Sequence, residues 1–104
     1  MTRDFHDTVR ARAVADPEFA RALFAEGARE LLAGDVGTAR ALLSDYARAT
    51  LDRAPDSDDD GDRERLLCLL DAGAVPSAGE LVDAVASLQR RTGVTLDVVA
   101  DAAE

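Results

Sequence analysis

The sequence has no lysine, a single cysteine, a single histidine and no apolar run that approaches the roughly 18 residues of a membrane-spanning helix. Each shortage removes a class of protein. Cys68, alone, cannot close an intramolecular disulfide, so the chain must hold together on its core, as suits a reducing cytosol. His6 has no second histidine or cysteine at ligand spacing and reads as a surface or capping residue. The opening MTRDFHDTVRARA is charged from its third residue and lacks the apolar stretch of a secretory signal. The expectation is a soluble, cytoplasmic protein with no membrane association.

What the sequence does have is acid. Twenty-one acidic residues face twelve basic ones, all arginine, for a net charge of −9. A phosphate backbone repels such a surface unless the arginines gather on one face, and along the chain they are interspersed with acids. The missing lysine has a bland explanation, since a GC-rich genome favours arginine, alanine and aspartate codons. Two readings of the acid excess stay open: a solubility or salt adaptation, or a surface for a basic partner. At 104 residues the chain is a single domain, able to bury roughly 65% of its unfolded surface.

Helix signals dominate, and they predict an all-α, compact bundle of about five helices. A first helix, from Asp4 to Ala15, carries Phe5 and Val9 four apart and stops at Asp16-Pro17. Asp16 can cap a second helix whose first turn takes Pro17, with Phe19, Leu23, Gly27 and Leu31 recurring every four residues. Gly34 ends it, Asp35 caps a third, and Val36, Ala39, Leu43, Tyr46 and Thr50 form that helix's stripe. Helices joined by Ala33-Gly34-Asp35 must fold back as a helical hairpin. A fourth helix over 63–72, containing LLCLL, reads as buried on most sides, with Cys68 a small core residue. Ser77 and Glu80, spaced as a capping box, open a fifth that stops near Gly93. After it, Val94, Leu96 and Val98 alternate with Thr95 and Asp97, which predicts a short β-strand over 94–99. A lone strand needs a neighbour, so pairing with a partner protein or in a homodimer is expected through Val94, Leu96 and Val98.

Between the halves, residues 52–62 lose all apolar period to proline, glycine, serine and aspartate and read as an acidic loop. Part of it fits a calcium loop. Asp56, Asp58 and Asp60 stand at positions 1, 3 and 5, Gly61 at the turn, and Asp62 at the position that offers a carbonyl. The twelfth position, which should carry a bidentate carboxylate, is Leu67, and the eighth is Arg63 rather than an apolar residue. A solvated loop is therefore the main reading, and a weak metal site at Asp56, Asp58, Asp60 and Asp62 the lesser one.

RDFHDTVRARAVADPEFARALFAEGARELLAGDVGTARALLSDYARATL resembles the N-terminal half of the helix-turn-helix addiction-module antidote family, and RLLCLLDAGAVPSAGELVDAVASLQRRTGVTLDV resembles its C-terminal half. Pro76-Ser77-Ala78, Leu88-Gln89-Arg90 and Gly93-Val94 fall in register, and the two runs cover most of the chain. The most specific pieces are LLAGDVGTARALLSDYARAT and LQRRTGVTLDV. The resemblance implies a small cytoplasmic antitoxin or autorepressor, encoded beside a basic toxin of ribonuclease type, whose middle forms a DNA-reading helix-turn-helix.

In that middle the chain departs from the family. Where a scanning helix belongs, Leu51 is followed by DRAPDSDDDGD, which cannot propagate a helix through Pro55 and the aspartates. The slots that contact DNA in the family correspond to Glu64, Arg65, Cys68, Gly79 and Glu80. Cys68 replaces an arginine there, Gly79-Glu80 replaces Arg-Asn, and Ala74-Val75 replaces Gly-Asn. These changes remove groups that contact phosphates or bases, and Glu64 and Glu80 add negative charge. The expectation is a degenerate helix-turn-helix: the fold persists while DNA binding is lost.

No nucleophile–base pair, phosphate-cradling glycine loop or paired carboxylates on a rigid element can be drawn, so the chain reads as a non-enzyme with no cofactor. Three functions follow. The first is an antitoxin-like module that binds a basic protein such as a toxin, with the acid surface steering it. The second is a DNA-binding autorepressor of a toxin–antitoxin operon that gathers Arg63, Arg65, Arg90 and Arg91 on one face. The third is an acidic decoy that blocks a DNA-binding protein.

Overall fold

The computed structural model describes residues 3–51 and 60–100, with side chains from residue 7 to 51 and from 63 to 100. Five helices run in order: α1 (Arg3–Ala15), α2 (Pro17–Leu32), α3 (Val36–Leu51), α4 (Asp60–Leu69) and α5 (Ala78–Thr92). The first three begin and end within two residues of where capping chemistry and periodicity predict them.

Local chemistry accounts for each junction. Asp16 sits at extended angles ahead of α2, and its Oδ1 accepts from the amides of Glu18 and Phe19 at 3.0 and 3.3 Å, while Pro17 occupies the first turn. The guanidinium of Arg12 lies 4.5 Å from the centre of the Phe19 ring and ties the end of α1 to the start of α2. At the far end of α2, Gly34 takes φ 92°, the Gly34 amide donates to the Leu31 carbonyl, and the Asp35 amide donates to the Glu30 carbonyl. This paired closure needs a left-handed residue, which glycine adopts at least cost. Asp35 then caps α3, accepting from the Thr38 amide at 3.1 Å and the Thr38 hydroxyl at 2.8 Å. Those two bonds, the amide's first, hold the Asp35 carboxyl below the usual carboxylate range. The hairpin predicted for α2 and α3 is therefore present.

α3 is the centre of the molecule and packs against all four other helices. It follows that α3 is buried on more than one stripe: Ala39, Leu43, Tyr46, Ala47, Ala49 and Leu51 are all core residues. Gly27 lets α2 approach it closely, since a Cβ at that position would lie 2.9 Å from Leu43 Cδ2. The Phe24 and Tyr46 rings stack with centroids 4.3 Å apart, and the Tyr46 hydroxyl donates to Thr92 Oγ1 at the end of α5. Burial pushes the Tyr46 hydroxyl's pKa up, opposed by the Thr92 bond and by Arg21.

α4 starts at Asp60, three residues ahead of the predicted start, so Asp60, Gly61 and Asp62 form its first turn. Residues 52–59 of the predicted acidic loop lie outside the described residues. α4 is also less enclosed than LLCLL suggests. Leu66 is core, and Leu70 is buried in the turn that follows, but Leu67 and Leu69 are half-buried and Cys68 is exposed. A helix flanking one side of α3 has only one face to bury. α5 opens on the predicted capping box: the Glu80 amide donates to Ser77 Oγ at 3.1 Å and the Ser77 amide to Glu80 Oε1 at 2.8 Å.

The predicted strand at 94–99 is not there: among the described residues the fold is all-helical. The segment leaves α5 through Gly93, at φ 77°, and its amides bond side chains instead of a ladder. Val94 donates to Thr92 Oγ1 at 3.3 Å, Leu96 to Gln89 Oε1 at 2.7 Å, and Val98 to Asp97 Oδ1 at 2.9 Å. Period-two alternation here records a segment laid with one edge on the bundle. Val94 and Leu96 pack against the core, and Val98 stays outside.

Candidate functional site

Every slot that the antidote resemblance assigns to DNA contact lies on the outside. Glu64, Arg65 and Cys68 are exposed on α4, and Gly79 and Glu80 are exposed in the first turn of α5. The Glu80 carboxylate is already occupied by the capping box. Arg63 and Arg91 line separate cavities, Arg63 with Arg48 and Leu67, Arg91 with Tyr46 and Thr92. Arg65 and Arg90 are exposed. Of the four aspartates proposed for calcium, Asp56 and Asp58 lie outside the described residues, and the side chains of Asp60 and Asp62 do so too. The side chain of His6 is likewise outside them. Among the described residues, no group of three or more histidine, cysteine or acidic side chains is placed to hold a metal ion.

Two surface features stand out. The first is apolar. Between the C-terminal half of α2 and the segment after α5 runs a groove of about 240 Å³, with Ala25, Ala28 and Leu32 on one wall and Leu96, Val98 and Val99 on the other. Leu32 is 75% exposed, and Val98 and Val99 are each 76% exposed. Arg29, held to Glu26 at 3.2 Å, and Asp97 provide its polar rim. Leu32, Val98 and Val99 are thus brought together by the way the segment lies along α2, and only Val98 was expected at a contact surface.

The second is polar and was not foreseen at all. A cavity of about 440 Å³ opens among α1, α3 and the turn after α4, lined by Asp7, Arg10, Arg40, Ser44, Asp45, Arg48 and Asp71 with the small walls of Ala41 and Ala72. Asp45 is only 2% exposed. Arg10 Nε donates to its Oδ1 at 2.8 Å, which fixes Arg10 along α3. Arg40 donates from Nη1 to the Leu70 carbonyl at 2.7 Å, so a guanidinium anchors the turn that closes α4. Arg48 meets Asp71 at 3.6 Å, beyond hydrogen-bonding distance. A faint signal of this cluster existed in the sequence: Leu42, Asp45 and Ala49 share one face of α3, and an acid on an otherwise apolar face calls for a partner.

No protein-family model, curated protein or solved structure matches the chain. No helix among the described residues is long and apolar enough to cross a membrane.

Proposed function

We propose that the chain is a non-enzymatic, antitoxin-like module that binds a basic protein through the apolar groove between α2 and the C-terminal segment. The observation that carries this reading is the exposure of Leu32, Val98 and Val99 along one groove in a molecule of net charge −9. Clustered apolar side chains at the surface stabilise a complex when covered, and the acid surface raises the encounter rate with a cationic partner. The exposed antidote-family slots carry two glutamates and one arginine, a poor match to phosphates.

The test is affinity capture from the native host at low salt, with nucleic acid assayed in parallel and with Leu32→Asp and Val99→Asp run beside the unmodified chain. Both positions are exposed, so these substitutions should change stability by no more than about 0.5 kcal/mol. Expected is one small basic protein, in stoichiometric amount and without DNA, held by the unmodified chain and released by either variant. Specific DNA recovered instead would replace this reading by the autorepressor. Capture unaffected by both variants would move the contact off the groove.

A further inference from the structure

We infer that the cavity among α1, α3 and the turn after α4 is a binding site for a phosphate monoester carried by a small molecule, with Arg40 and Arg48 as its receptors. This does not depend on the protein-binding reading, because the cavity and the apolar groove share no lining residue.

The charge and donor inventory of the cavity leads there. Asp45 is buried and accepts from Arg10, so both groups are engaged within the protein. Arg40 is different. Its partner among the described residues is a neutral carbonyl, that of Leu70, and no described carboxylate lies within ion-pair distance of it. The Leu70 bond uses one Nη and leaves the rest of the guanidinium without a partner among the described residues. Arg48 makes no hydrogen bond to the described residues, and its one ionic contact, to Asp71, is loose at 3.6 Å. The Arg48 side chain is 34% exposed and Arg40 is half-buried, so both are partly desolvated yet reachable from solvent.

Positions 40 and 48 are eight apart on α3, two turns of one helix, and both side chains line one concavity. Ala41, Ser44 and Ala72 keep its walls small. A guanidinium presents parallel N–H donors that match two oxygens of a phosphate, and a dianion offers more oxygens than a carboxylate to two such groups. The volume, about 440 Å³, lies in the range of small-ligand pockets and leaves room beyond the phosphate for the group that carries it. Asp7 and Asp71 oppose an anion. The Asp71 side chain is 59% exposed; its Oδ1 meets Arg48 loosely at 3.6 Å and its Oδ2 accepts from the Gly73 amide at 3.3 Å, so an oxyanion can take over the Arg48 contact while Asp71 keeps its bond to Gly73.

The experiment is an NMR titration of the 15N-labelled full chain at low ionic strength with inorganic phosphate, adenosine monophosphate and, as controls, chloride and a short DNA duplex. Expected are saturable shifts with both phosphate probes, centred on residues 40–48 and 70–72. Arg48→Gln should weaken binding at least tenfold, about 1.4 kcal/mol. Asp71→Asn should tighten it by relieving repulsion. Arg48→Gln removes no hydrogen bond within the described residues, so its circular dichroism and melting should match the unmodified chain and a loss of binding reads as loss of a receptor. Shifts that fail to saturate, that chloride reproduces, that survive Arg48→Gln, or that occur only with the duplex would each overturn the proposal.

Discussion

At the scale of the residue, Gly27 shows how one missing side chain sets the spacing of two helices. A glycine inside a helix costs about 0.5–1 kcal/mol relative to alanine, so on propensity alone Gly27→Ala should stabilise α2. The packing reverses the sign. The added methyl would lie 2.9 Å from Leu43 Cδ2 and 3.1 Å from Leu43 Cγ, and Leu43 is fully buried at the centre of the α2–α3 contact, so it must shift within a packed core. Overpacking of this kind costs about 1–3 kcal/mol, which exceeds the gain. Gly27→Ala should therefore lose about 1 kcal/mol, seen as a lower urea midpoint at unchanged slope. A raised midpoint would mean that α2 and α3 can part without penalty and that the glycine is there for another reason.

At the scale of the element, the same reasoning applies to the ends of helices. The capping box at Ser77 and Glu80 satisfies two backbone amides at the start of α5, and Ser77→Ala removes the acceptor for one of them. The expected loss is about 1 kcal/mol, with faster hydrogen exchange confined to the first turn of α5. If exchange instead rose along the whole helix, the box would be holding α5 against α3 rather than closing its end. Junctions of this kind were legible in advance because their chemistry is local: Asp16-Pro17, Ala33-Gly34-Asp35 and Ser77 to Glu80 each act within four residues. Tyr46 was legible for a similar reason, as part of a helical stripe. The segment after Gly93 was misread because alternation reports which side chains are covered and says nothing about what the backbone bonds to; Gln89 and Thr92 take the donors that a strand would have offered a neighbour. Cys68 is exposed rather than core because an apolar run does not reveal how many neighbours its helix has. The Arg10–Asp45 pair joins residues 35 positions apart, and the turn at Leu70 that Arg40 anchors is 30 away, so only the fold could assemble that cavity.

At the scale of the whole molecule, the net charge of −9 acts on stability and on binding with opposite signs, and salt separates them. Self-repulsion opposes the compact state, and added salt relieves it, with the screening length falling from about 30 Å at 0.01 M to about 10 Å at 0.1 M. Local ion pairs work the other way, and two of those among the described residues are weak. Arg29–Glu26 is exposed and Arg48–Asp71 is long, and pairs of that kind contribute little. Arg10–Asp45 is the substantial one, and with Asp45 buried it is the least screened. Melting temperature should therefore rise as sodium chloride goes from about 0.01 to 0.3 M, while the on-rate for a cationic partner falls over the same range. Measuring both on one preparation tests whether the acid excess serves an interaction. A melting temperature that falls with salt would mean that ion pairs outweigh the net charge. A stable fold paired with a salt-insensitive on-rate would mean that the acid excess contributes solubility alone and that any partner is recognised by the apolar groove without steering.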